Sequence, residues 1–171
     1  MPDPQEQNKP QIPKLIESDI LIPFSPKLAK VLGDLEALFL QQLHYHTYYR
    51  SHPYLFVGQY SWHRKSYDDW CLELRHSKPK TLQVAARKLE NHHIIYGCPV
   101  NVQNRQQKWY TINHQAIQVI NTSLEELVRL DKKQAYERLL PMIEPHYDRN
   151  VSDRFLAALR NSEYPISSQR G

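Results

Sequence analysis

A chain of 171 residues is the length of one domain, or of one domain with a modest appendage. Its 22 Lys and Arg against 18 Asp and Glu leave a formal +4, and a mean hydropathy of −0.68 describes a core-forming chain with much polar surface. No run approaches the roughly 18 apolar residues of a membrane span, two cysteines (Cys71 and Cys98) make neither a disulfide scaffold nor a zinc motif, and four glycines hold no GxGxxG or P-loop.

Residues 1–13 are rich in Pro, Gln and Asn, which predicts a flexible tail rather than a signal or transit peptide, and hence a cytoplasmic protein. Leu15–Phe24 is apolar and bounded by proline, as a strand or an extended packing arm would be. Ser25 reads as an N-cap with Pro26 in the first helical turn. Leu28, Val31, Leu32, Leu35, Leu38, Phe39 and Leu43 follow at helical spacing, and Gly33-Asp34 divides the stretch into a short helix and a longer one from Leu35 to about Arg50. Ser51-His52-Pro53 ends it.

Tyr54–Val57 and Gln59–His63 flank Gly58 in a segment that suggests one small strand. Ser66 caps a helix Tyr67–Leu74 with acids in its first turn and Trp70 and Leu74 on its buried face. After a break at Arg75-His76-Ser77, a helix starts from Ser77, with Pro79 just inside, and runs to about Asn91 on an apolar stripe of Leu82, Ala85, Ala86 and Leu89. Ile94–Tyr96 with Pro99–Val102 resembles one strand and Lys108–Asn113 its partner, joined by a polar tip Gln103–Gln107. Helix resumes beyond residue 113, with a capping box from Ser123 to Glu126 and an end near Leu140, before Pro141. A last amphipathic helix spans about Val151–Arg160 from a Ser152/Asp153 start, and residues 163–171 read as a second flexible tail.

The charge is unevenly distributed. Residues 1–49 carry −2, residues 50–110 carry ten basic side chains against four acids for +6, and residues 111–171 balance. A local basic surface suits a polyanion partner, because each cation at a phosphate displaces condensed counterions. Helix, short strand, helix, three-residue turn, helix and hairpin is the order of a winged helix-turn-helix, mainly α with a small β-hairpin wing (α+β), in which the second helix of the pair enters the major groove. Opposite its apolar stripe that helix offers Lys78, Lys80, Thr81, Gln83, Val84 and Arg87. Gln can pair with adenine, Arg or Lys with guanine, and the Thr or Val methyls can meet the methyl of thymine. Ser77 and the open N–H groups beside it suit a phosphate, Arg64 and Lys65 add charge ahead of the first helix, and Asn104 and Arg105 in the wing suit backbone or minor groove.

The runs SPKLAKVLG (Ser25–Gly33) and EALFLQQLHY (Glu36–Tyr45) resemble the start of the winged-helix domain of phage and plasmid replisome-organiser, or replication-initiation, proteins. Tyr60–Trp62, Ser66–Trp70, Thr81–Glu90 and Trp109–Ile112 fall in the order of that family's later segments, so the resemblance covers roughly residues 15–117. It implies a double-stranded DNA binder associated with a mobile element. The family's second domain handles single-stranded DNA or helicase loading, whereas the helices after the wing here carry no positive excess. They read as a dimerisation or partner element, and the balance moves toward a compact regulator.

Nine histidines include no HExxH and no Cys/His cluster, and His44 and His46, two apart on a helix, face different ways. No metal or other cofactor is therefore expected. The aromatic residues Tyr45, Tyr48, Tyr49, Tyr54, Phe56, Tyr60, Trp62, Tyr67 and Trp70 read as core rather than as a base-stacking platform. Cys71, beside Trp70, reads as a small buried apolar residue, and no nucleophile–base pair suggests an enzyme. The expectation is a DNA-binding domain over 14–117 with a helical extension over 118–162, a homodimer on double-stranded DNA that acts as a transcriptional repressor. A replication initiator, or an interaction module on a degenerate winged helix, stands as the alternative.

Overall fold

The computed structural model describes residues 24–49, 54–75 and 78–162, so the expectations for the two tails, for Leu15–Pro23 and for Ser51-His52-Pro53 lie outside it. The described residues are mainly helical with one four-stranded antiparallel sheet, an α+β class. No described helix is long and apolar enough to cross a membrane.

Helix α1, Pro26–Leu32, opens as its sequence predicts: Ser25 Oγ accepts the Leu28 N–H at 3.3 Å and Pro26 occupies the first turn. Gly33 closes it at φ +109°, a non-helical conformation that favours glycine, and α2, Asp34–Tyr49, starts afresh. Where one small strand was expected, there are two: β1 (Tyr54–Val57) and β2 (Tyr60–Arg64) turn back on each other at Gly58, which takes φ +60°. A glycine with positive φ permits the two-residue reversal that alternation alone does not signal.

Helix α3, Tyr67–Leu74, is capped by Ser66 Oγ on the Asp69 N–H (3.1 Å) and ends at Arg75 in the left-handed conformation, φ 54°. Helix α4, Pro79–Asn91, follows. Strand β3 (Ile95–Val102) follows the expected bounds to within a residue, whereas β4 (Arg105–Ile112) starts three residues earlier than expected and the turn is shorter. Gln103 and Asn104 alone make it, at φ 47° and 63°, a pair of positive values characteristic of a tight hairpin turn. Arg105, Gln106 and Gln107 thus belong to β4 and not to a tip, with Arg105 paired to Val102. The sheet order is β1-β2-β4-β3, and β2 meets β4 through His63↔Tyr110 and Arg64↔Trp109.

The C-terminal helices correct three expectations. Helix α5, His114–Leu127, is capped by Asn113 Oδ1 on the Ala116 N–H (3.4 Å), and Ser123 to Glu126 sits in its last turns rather than opening a helix. The capping box belongs instead to α6, Lys132–Ile143, formed by Asp131 and Gln134. Pro141 lies inside α6, where buried Leu139 and Ile143 hold the last turn in place despite the N–H that proline lacks. Helix α7, Val151–Arg160, begins after Asn150 with no side-chain cap, not at a Ser152/Asp153 start.

One face of the sheet carries a core that runs unbroken from Val31, Leu32 and Phe39 through Trp70 and Leu82 to Ala116, Leu127, Tyr136 and Ile143. The expected boundary at residue 117 falls within α5, and Tyr136 O–H donates to the Leu32 carbonyl at 2.6 Å, so α5 and α6 pack back onto α1. The other face carries Trp62, Tyr96, Cys98, Val100 and Trp109 under Val151, Phe155 and Leu159 of α7. The apolar faces of α5, α6 and α7, the helices expected to serve as a dimerisation or partner element, are thus buried within the chain.

Candidate nucleic-acid interface

Helix α4 begins one residue later than its Ser77 cap would place it. Pro79 takes the first helical position, where no N–H is needed, and Lys78 becomes the N-cap with extended backbone (φ −122°, ψ 96°) and no side-chain cap bond. Ser77 itself lies outside the described residues. Leu82, Ala85, Ala86 and Leu89 are buried beneath the helix. At 100° per residue the outermost stripe is Lys80, Val84, Arg87 and Asn91, all exposed. Thr81 and Lys88 lie on one flank. There the Lys88 Nζ sits 4.3 Å above the Tyr136 ring and 3.9 Å from Glu36.

The other flank, Pro79, Gln83 and Glu90, faces the β3–β4 hairpin across a groove of about 660 Å³. Five residues singled out in the sequence line it: Arg64, Lys65, Gln83, Arg87 and Arg105. Ser66 and Tyr67 at the start of α3, together with Gln106, Gln107 and Lys108 of β4, complete the wall, with Asp68 and Glu90 as its acids. Tyr67 and Tyr110 share a hydrogen bond between their hydroxyls that pins the start of α3 to β4. Burial pushes the Tyr110 hydroxyl far up from its ordinary value, so it stays protonated. Lys78, Lys80, Thr81 and Val84 lie outside this groove on the exposed surface of α4, and Asn104 is exposed at the hairpin turn.

The two lysines of the groove differ from its arginines. Lys65 pairs with Glu73, lies 4.8 Å over the Trp70 ring and has a side chain only 18% exposed, with burial lowering its pKa. Its charge serves the contact between α2 and α3 behind the groove. Lys108 pairs with Glu90 at 2.9 Å across β3, and Gly97 is the residue they cross: a Cβ there would lie 1.8 Å from Glu90 Oε1. Arg87 and Arg105 are exposed and neither forms an ion pair with a described residue. Arg64 closes β2 beside them, half-buried opposite Trp109.

Asn91, Tyr67, Gln106 and Lys108 were not singled out from the sequence. Asn91 carried a usable signal, because it shares the Lys80–Val84–Arg87 face. Gln106 and Lys108 carried a weaker one in a strand that opens RQQK with no apolar alternation. The aromatic expectation holds for Trp62 and Trp70, both buried, but Tyr45 and Phe56 are about half exposed. Among the described residues no group of three or more His, Cys, Asp or Glu side chains is placed to hold a metal ion. Comparison of the chain with protein-family models, with curated proteins and with solved structures finds no match in any of the three.

Proposed function

We propose that the chain is a sequence-specific double-stranded DNA-binding protein built as a winged helix-turn-helix, acting as a transcriptional repressor linked to a mobile element. The observation that carries this reading is the groove, where α3, α4 and the hairpin converge on three arginines and three glutamines. The element order supports the winged build: α2, β2, α3, α4 and the β3–β4 hairpin, with β2 lying beside β4. In this reading α4 lies in the major groove with Lys80, Val84, Arg87 and Asn91 toward the base edges. Arg105 and Arg64 then meet the backbone, and the planar guanidinium suits paired acceptors on phosphate or guanine better than a lysine would. As a homodimer the protein would set two α4 helices on half-sites about 34–36 Å apart.

Binding of the full chain to duplex DNA, measured by fluorescence anisotropy across a salt series, tests this reading. Arg87→Ala is expected to weaken binding by about 1–3 kcal/mol and to relax base preference at one position. Arg105→Ala is expected to weaken all duplexes alike and to reduce the salt slope by about 1. Equal binding by wild type and a variant carrying both Arg87→Ala and Arg105→Ala, or no duplex binding at low salt, would overturn the proposal. Footprinting across the neighbouring DNA then separates the roles, since a repressor protects a site at a promoter and an initiator protects repeated origin sequences.

A further inference from the structure

Val84 is out of keeping with its surroundings. It is 63% exposed in the middle of a helix face that otherwise presents Lys80, Arg87 and Asn91, while the apolar residues of α4 that the fold needs are all on the opposite side. Among the described residues it belongs to neither of the two apolar clusters of the core.

Its neighbour supplies the chemistry. Val84 and Arg87 are three residues apart, which places them about 60° apart around α4 and about 4.5 Å along its axis. Successive base pairs are about 3.4 Å apart, so two such side chains address adjacent base pairs. In the major groove the C5 methyl of thymine is an apolar group among donors and acceptors, and guanine offers two acceptors, O6 and N7, to a guanidinium. Resting on the duplex-DNA reading above, we infer that Val84 and Arg87 form a two-residue reader of adjacent thymine and guanine, with Val84 packing on the thymine methyl. Asn91, about one turn beyond Arg87, extends the same face toward a further base.

Val84 is exposed and alanine is the better helix former, so Val84→Ala leaves the fold intact and isolates the methyl contact. A pool of randomised duplexes of about 20 base pairs is selected against the full chain. The enriched duplex is then resynthesised with deoxyuridine in place of each thymine in turn, which removes only the methyl group. At one thymine, beside a guanine, wild type is expected to lose about three- to tenfold in affinity. Val84→Ala should bind the two versions of that duplex within about twofold of each other. Duplex binding that ignores every methyl deletion overturns the thymine reader while leaving the DNA reading in place, as does a loss of the same size in Val84→Ala. A pool that yields no bound duplex at low salt overturns both.

Discussion

Truncating Phe155 to alanine is expected to remove about 3–5 kcal/mol of stability, measured as a fall in the urea midpoint at unchanged m-value. Phe155 is fully buried, stacked on Trp62 at 4.3 Å and 19°, with Trp109 at 5.3 Å. The ten residues of α7 are too few to be helical alone, and no side chain caps its N-terminus, so packing must hold it. The approach to α7 is anchored as well: the Asp148 N–H donates to the Tyr96 hydroxyl at 3.1 Å, and the His93 ring stacks on Tyr147 at 3.8 Å. The tryptophans that Phe155 covers belong to β2 and β4, and those strands also carry Arg64 and Arg105. Losing this contact therefore loosens the support of the groove as well as of the helix. Arg160→Ala, at the exposed end of α7, should change stability by no more than about 0.5 kcal/mol. A cost below about 1 kcal/mol for Phe155→Ala would show that α7 does not close the second face of the sheet.

Features that depend on near neighbours were legible in the sequence. Ser25 with Pro26, Ser66 with its acids, and the Leu82–Leu89 stripe each state their structure within one or two helical turns, and the structure follows them. Features decided at a distance were not. Ser123 to Glu126 has the spacing of a capping box, but Asn113 had already opened the helix ten residues earlier, and a helix in progress does not need a second start. Pro141 reads as a stop because its clash is local, whereas the burial of Ile143 that outweighs it is tertiary.

The charge count behaved in the same way. The +6 of residues 50–110 treats all ten cations as surface, yet Lys65, Lys88 and Lys108 face Glu73, Glu36 and Glu90. Only the folded arrangement separates structural lysines from the arginines that remain outward. The groove was legible in its composition but not in its boundary, because its far wall is a strand that the sequence suggested to be a turn.

The second large effect is expected at Glu73, where Glu73→Ala should cost about 3–5 kcal/mol. The carboxylate receives Gln42 Nε2 and the Lys65 ammonium, and the His46 ring donates to it from Nε2 at 2.5 Å, so one side chain of α3 gathers α2 and the segment before α3. Removing it leaves the ammonium of a side chain 18% exposed against Trp70 with no counter-charge. The site also sets an acid limit. His46 has a side chain only 8% exposed, and burial, with the Lys65 charge second, pushes its pKa down to about 4. The ring is therefore neutral in the fold, while in the unfolded chain it takes a proton near its ordinary value of about 6.5. Between those two values the unfolded state binds more protons, so stability rises with pH. The contribution is complete above about 6.5 and is lost as pH falls toward 4. Glu73, Lys65, Gln42, Trp70, Tyr45 and His63 all surround this ring, and the Lys65 Nζ, 3.4 Å from Nε2, is the group that most opposes a second cation. Urea unfolding at pH 8 and at pH 5 should differ by about 2 kcal/mol from this residue. His46→Gln keeps a donor for Glu73 but cannot titrate, and it should flatten that part of the slope. The same pH slope in wild type and His46→Gln would refute the assignment.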